Sequence, residues 1–192
     1  LLCNKKLRKE IQDMKKVLLC REEDSLETRV ALIPDDIKKL KNMGFEFKVV
    51  SGAGIKSGFS DESYVNAGAE VIESADAGYA DSEIVVRILK PSNIDNLKED
   101  TLHLSYLDPF NEKELLNKFV EKKAMAVSLE MIPRTTLAQK MDVQSSQTSL
   151  AGYVAVINAA AKLPKIFPMM MTPAGTISPA RVFIIGVGVA GL

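Results

Sequence analysis

The chain lacks any run of about 20 apolar residues, the length that a membrane-spanning helix needs; its apolar stretches are short and interrupted. It lacks a signal peptide too, because residues 1–16 (LLCNKKLRKEIQDMKK) mix Lys and Arg with apolar residues and have no long apolar core. The chain by itself is therefore expected to be soluble, with no direct insertion into a membrane. Cysteine is scarce. Cys3 and Cys20 make no disulfide framework and, with a single histidine, no metal-type Cys/His cluster, so a reducing compartment is the default. Charge of one sign is not in excess, since 25 Lys and Arg face 25 Asp and Glu. A nucleic-acid binder usually shows a basic excess or patch, and none is expected as a partner here. Repeats and low-complexity segments are missing. So is an initiating methionine at Leu1, and Leu192 directly follows a strand-like run and turn. A strand whose sheet partners are absent makes a poor terminus, and a fragment of a longer protein is expected.

What is present is an ordinary globular composition, 46% hydrophobic and 26% charged. Residues 1–16 read as a linker or extension. Val17–Cys20 is short and apolar, as a buried parallel strand would be. Residues 34–43 predict a helix with Pro34 in its first turn and Ile37, Leu40 and Met43 on one face, stopped at Gly44. Phe45–Val50 reads as the next strand. Ser60 or Asp61 caps a short helix that Gly68 closes. Ile84–Ile88 and Leu102–Leu107 are strand candidates. Glu112–Lys122 predicts a helix burying Leu115, Leu116 and Phe119, and Ala124–Leu129 a further strand. This alternation implies an α/β fold with a mostly parallel sheet. Pro133-Arg134 marks a boundary. A long helix over about 145–163 follows, with Leu150, Val154, Ile157 and Ala161 at helical spacing, ended by Pro164. Phe167–Ser178 suits an extended pair turning at Pro173-Ala174-Gly175, and Arg181–Ile185 a strand.

That last run leads into Gly186-Val187-Gly188-Val189-Ala190-Gly191, the spacing G-x-G-x-x-G directly after a strand. Gly186 permits the tight turn, Gly188 lets the backbone approach a pyrophosphate, and Gly191 allows close packing. A following helix N-terminus would offer N–H groups to the phosphates. The acidic residue expected about 20 residues later, on the ribose, lies beyond Leu192. The alternative is a glycine-rich turn that packs and binds nothing. Among other polar residues, His103 reads as a satisfied structural histidine and Glu22, Glu23 and Asp24 as a solvated loop. Met169, Met170 and Met171 read as core filler. Arg29 reads as a buried arginine needing a carboxylate, either the protein's own or a substrate's.

Residues 131–192 carry a resemblance. Met131-Ile132-Pro133-Arg134, Ala138-Gln139-Lys140-Met141-Asp142, Ser145-Ser146-Gln147 and Leu150-Ala151-Gly152-Tyr153, with Phe167–Thr172, Ala174-Gly175-Thr176 and Gly186–Leu192, resemble the NAD(H)-binding component, domain I, of proton-translocating NAD(P) transhydrogenases. Glu27–Ala31 and Ser51–Gly54 extend the likeness over about nine-tenths of the chain. Alanine dehydrogenases share the fold and both early marks. In them an Arg at the Arg29 position and a Lys after a strand hold the substrate carboxylate, and a catalytic His follows; here the matching positions are Leu89 and Asp108. Leucine cannot bind a carboxylate, Asp108 would repel one, and amino-acid oxidation needs a base near neutral pKa.

The resemblance implies two Rossmann-like or flavodoxin-like domains with parallel sheets: residues 17–132 as the N-terminal α/β domain and 133–192 as the truncated start of the NAD-binding Rossmann domain. It implies that Arg134, Gln139, Asp142 and Ser145 hold the nicotinamide end of NAD(H) and position it against NADP(H) on a partner component. The pyrophosphate would lie over Gly186, Gly188, Val189, Ala190 and Gly191. Leu137 and Gln144 depart from the family's loop. The implied partners are the NADP(H)-binding and membrane components and a second copy in a homodimer. The implied place is the cytoplasmic face of a bacterial inner membrane, or the matrix side of a mitochondrion-related organelle membrane. Two other readings remain: an alanine-dehydrogenase-like oxidoreductase, and a non-catalytic nucleotide-binding domain.

Overall fold

The computed structural model describes residues 15–192; the expected linker over 1–16 falls almost wholly outside them. The chain forms two compact units, one reaching Met131 and the other Ile132–Leu192.

In the first unit, β1 (Lys16–Leu19), β2 (Glu46–Val50), β3 (Glu70–Ile72), β4 (Ile84–Val86), β5 (Leu102–Ser105) and β6 (Met125–Ser128) form a six-stranded sheet in the order β3-β2-β1-β4-β5-β6. Every pairing is parallel. Alternation along β1 explains why it is apolar throughout: Val17 and Leu19 join one core cluster, with Ile37, Phe47, Val49 and Tyr64, while Leu18 and Cys20 join another, with Val85, Leu107 and Phe119. The strand is covered on both faces, as a Rossmann-like arrangement requires.

The helices follow from local chemistry. α1 (Pro34–Lys41) starts with Pro34, places Asp35 and Asp36 in its first turn and Lys38, Lys39 and Lys41 in its last, and buries Ile37. It stops two residues short of the predicted end, so Met43 is 73% exposed and does not join the apolar face. α2 (Asp61–Asn66) is capped by Ser60, whose hydroxyl accepts from Ser63 N–H. β3 and α3 (Ala75–Tyr79) are too short for a periodic signal and go unpredicted. α4 (Lys113–Glu121) buries Leu115 and Phe119, with Leu116 half-buried.

β4 and β5 each end two residues before the predicted limit, for one physical reason. Past Arg87, the N–H groups of Ile88 and Leu89 donate to the Glu22 carboxylate at 2.6 and 3.1 Å. Past Tyr106, the N–H groups of Leu107 and Asp108 donate to Glu130 at 3.0 and 2.5 Å. Side-chain acceptors take over where the ladder stops, so these four backbone donors are satisfied without a neighbouring strand.

The second unit contains α5 (Val143–Lys162) and an antiparallel hairpin, β7 (Met170–Thr172) and β8 (Gly175–Ile177), turning at Pro173-Ala174. Arg181–Ile185 is not a strand: among the described residues of this unit no segment pairs with it, and Phe183 and Ile185 are about nine-tenths exposed, at 88% and 91%. The same lack of a covering layer corrects the reading of the methionines. Met169, Met170 and Met171 are exposed, as are Leu150, Val154 and Ile157 on α5.

His103 lies fully buried in β5, with Nε2 3.1 Å from Ser105 Oγ and its ring tilted against Phe119 at 5.2 Å between centroids. Burial, helped by the Arg87 charge, pushes its pKa from 6.5 down to about 3. The folded ring is neutral where the unfolded ring takes a proton, so stability is full above pH 6.5 and is lost as pH falls toward 3. His103→Leu is expected to flatten part of this loss. Urea midpoints at neutral pH and near pH 4.5 check it: the drop should be larger for wild type than for the variant.

Candidate functional site

Sequence order reverses across β1 in the first sheet, between β2 on one side and β4 on the other. Crevices at such switch points, outside the carboxyl ends of the strands, are where open α/β sheets bind ligands. Here a cavity of about 800 Å³ opens there, lined by Arg87, Leu89, Lys90, Tyr106, Asp108 and Glu130 among others. Arg87 is only 1% exposed, 2.8 Å from Glu23 and 3.9 Å from Glu22. The expected solvated loop is therefore half right: Glu22 is buried and bonded, and Glu23 pairs with Arg87. The buried arginine is Arg87 and not Arg29. Arg29 is exposed and pairs with Glu27 at 2.6 Å, and this guanidinium holds the Glu27 carboxyl below its usual range.

The crevice is poorly equipped to hold a carboxylate for amino-acid oxidation. Arg87 already faces two carboxylates, and Lys90 is paired with Glu112 at 2.5 Å. Leu89 and Asp108 stand on its wall, and the Asp108 carboxylate accepts from the Asn111 amide. His103 is buried in β5 and bonded to Ser105. Asp108 has a φ of +52°, a conformation uncommon for a non-glycine residue. It is held there by Glu130 on its N–H and by Asn111 and Glu112, whose N–H groups donate to its carbonyl.

In the second unit the four loop residues gather at the start of α5. Asp142 is its N-cap: the carboxylate accepts from Ser145 N–H at 2.9 Å and from Ser145 Oγ at 2.6 Å, and these bonds hold its pKa below the usual aspartate value. Gln139 opens a single 3-10 turn, Gln139–Met141. Its side-chain amide is exposed and makes no side-chain hydrogen bond among the described residues. Arg134 is exposed and reaches Gln144 Oε1 at 3.5 Å. The structure thus joins Asp142 to Ser145 and Arg134 to Gln144, leaving the Arg134 and Gln139 side chains open to solvent. Leu137, at the loop's tip, is 93% exposed.

The glycine segment is a closed turn. Gly186 has a φ of +90°, and the N–H groups of Gly191 and Leu192 both donate to Gly188 O at 3.1 Å. A Cβ on Gly191 would stand 2.2 Å from the Gly186 carbonyl oxygen, so the third glycine is needed for the turn to close on itself. The turn also touches α5: a Cβ on Gly152 would lie 2.4 Å from the Ala190 carbonyl oxygen. Sequence reasoning missed the roles of Glu22, Arg87, Glu130 and Gly152. Only Gly152 carried a local signal, as a glycine inside a helical pattern.

Residues 18–151 match the family described as alanine dehydrogenase/PNT, N-terminal domain, and residues 155–192 match its C-terminal domain. The chain belongs to the alanine dehydrogenase/PNT family. Within that family it is 36% identical over 184 residues to the first part of NAD(P) transhydrogenase subunit alpha of Rhodospirillum rubrum, covering 92% of this chain and 48% of that one. The solved transhydrogenase of Sinorhizobium meliloti superposes with a TM-score of 0.85 at 37% identity, over 92% of this chain and 53% of that one. A solved L-alanine dehydrogenase superposes with a TM-score of 0.77 at 26% identity, over 92% and 49%. The chain therefore spans about half the length of these relatives. Among the described residues no helix is long and apolar enough to cross a membrane.

The cap and the expected nucleotide contact make separable demands on Asp142. Asparagine caps helices about as well as aspartate, so Asp142→Asn is expected to keep slow amide exchange at Ser145 while Asp142→Ala frays the first turn. Amide exchange followed residue by residue by NMR checks this. Fast exchange in both variants would show that the cap depends on the carboxylate charge.

Proposed function

We propose that this chain is the NAD(H)-binding part of a proton-translocating transhydrogenase, in which hydride passes directly between NAD(H) here and NADP(H) on a partner component. A membrane component couples the transfer to proton movement. The observation that carries this reading is the pairing, in one unit, of a glycine-rich turn with a polar loop at the start of α5 whose Gln139 side chain is exposed.

The residues present fit a dinucleotide. The turn Gly186–Gly191 carries no side chain at Gly186, Gly188 and Gly191, which suits the close approach of a pyrophosphate; Gly186, Gly188, Val189, Ala190 and Gly191 hold it. Gln139 has a donor and an acceptor for a carboxamide, and Arg134, Asp142 and Ser145 frame it. When bound, NAD(H) supplies or takes the hydride at its nicotinamide ring. Since no proton is abstracted, the chain needs no general base. Its task is orientation, and near-attack geometry can lower a barrier by several kcal/mol, up to about 10. Asp142 contributes by fixing the loop to the helix through Ser145.

The reading places the chain on the cytoplasmic face of a bacterial inner membrane, or on the matrix side in a mitochondrion-related organelle, as a homodimer beside the NADP(H)-binding and membrane components. The likeness to L-alanine dehydrogenase supports the competing amino-acid oxidoreductase, against which stand Leu89, Asp108 and the committed Arg87 and Lys90 of the crevice.

The test uses the intact protein mixed with an NADP(H)-binding component of this family. NADPH is expected to reduce an NAD⁺ analogue at a rate indifferent to L-alanine. Reduction that requires alanine and ignores NADPH would overturn the proposal and direct attention to the crevice of the first unit.

A further inference from the structure

From the seat that the glycine turn takes on α5, we infer that Gly152 is a positioning residue for the pyrophosphate turn, and that α5 is the rigid element to which both ends of the dinucleotide site are registered. This rests on the dinucleotide reading above. At its N-terminus α5 is tied to the nicotinamide loop by the Asp142 cap on Ser145. Ten residues further on, about 15 Å along the axis at 1.5 Å per residue, it meets the turn at Gly152.

The meeting is of backbone on backbone. A Cβ built on Gly152 would be 2.4 Å from the Ala190 carbonyl oxygen, 3.1 Å from its carbonyl carbon and 3.2 Å from its Cα. No flexible side chain is there to swing aside, so any side chain at 152 must move either the helix or the turn. The turn has little slack of its own. Gly191 already lies against the Gly186 carbonyl, and two N–H groups close it onto Gly188 O at 3.1 Å. Displacing Ala190 therefore carries Val189 with it, and with them the Val189 and Ala190 N–H groups that would meet the phosphates.

Gly152 is also the wrong residue for its place if the helix alone mattered. Glycine in a helix interior is disfavoured relative to alanine, and Gly152 sits near the middle of the twenty residues of α5. Its flanks, Ala151 and Tyr153, are exposed, while Gly152 is partly covered. The helix tolerates a poor helix former at a point where the turn rests on it.

This gives opposite signs for two readings of one substitution. If Gly152 were only a helix residue, Gly152→Ala would raise or preserve the thermal midpoint and leave ligand affinity alone. If it is the seat of the turn, Gly152→Ala weakens binding of any ligand carrying the pyrophosphate, whether or not a nicotinamide is attached. The experiment titrates NADH and ADP-ribose into the full-length protein and its Gly152→Ala variant by calorimetry, with thermal midpoint and far-UV circular dichroism alongside. The expected result is a rise in Kd of about tenfold or more, by the same factor for both ligands, with helix content kept. Kd values for both ligands within about twofold of wild type would overturn the inference. Should Gly152→Ala not fold, the pair Gly152→Ala/Ala190→Gly, whose turn can move aside more easily, is titrated in its place with the same expectation. Wild-type protein that binds neither NADH nor ADP-ribose would overturn the dinucleotide reading itself, an outcome distinct from failure at Gly152.

Discussion

The N–H groups of Ile88 and Leu89 point at the carboxylate of Glu22 instead of at a neighbouring strand, and the N–H groups of Leu107 and Asp108 do the same toward Glu130. Backbone donors in a buried place must be satisfied. Here two acidic side chains, Glu22 from the loop after β1 and Glu130 from a 3-10 turn after β6, meet that demand at the mouth of the sheet. They stop β4 and β5, fix the loops that follow, and settle which side chains reach the crevice. Arg87, buried beside Glu22 and Glu23, is consumed by the same arrangement. Removing a partner would leave a buried guanidinium short of compensating charge, so its first duty is to the fold. A crevice whose Arg87 and Lys90 are already paired and whose wall offers Leu89 and Asp108 is poorly suited to hold the carboxylate of an amino acid.

The second unit solves a different problem with different means. It holds a polar loop and a glycine-rich turn on a single helix, the loop by a carboxylate cap and the turn by the absence of a side chain at Gly152. Both devices set position without chemistry of their own, which suits a reaction whose demand is ring geometry and not proton transfer. His103 is no base at neutral pH either: burial pushes its pKa down to about 3, and its partner Ser105 belongs to the same strand.

Much of the fold was legible from periodicity. The apolar run at Val17, the Pro34 start of α1, the Ser60 cap and the Pro164 stop all announce themselves through local rules, and the structure follows them. What periodicity cannot carry is long-range pairing. Glu22 and Ile88 are 66 residues apart, so nothing local distinguishes Glu22 from a solvated acid, and the misassigned burial of Arg29 has the same origin. β3 and α3 are too short to repeat a pattern. Arg181–Ile185 shows the opposite failure: its β-branched composition is a sound strand signal, but a strand exists only with a partner, and none pairs with it among the described residues of its unit. In the candidate site the residues were proposed through family likeness, while the closure of the turn on itself and its seat on Gly152 needed coordinates.

In the proposed function the loop before α5 orients a nicotinamide ring. Gln139→Asn keeps the amide and withdraws it by one methylene, so it separates orientation from attraction. The decisive measurement is the hydride-exchange rate of this variant in the full-length protein with its NADP(H)-binding partner, set beside its NADH affinity. Exchange is expected to slow by about tenfold or more, a larger factor than the accompanying rise in NADH Kd. Exchange at the wild-type rate would contradict this role, because the amide would then stand outside the reacting geometry.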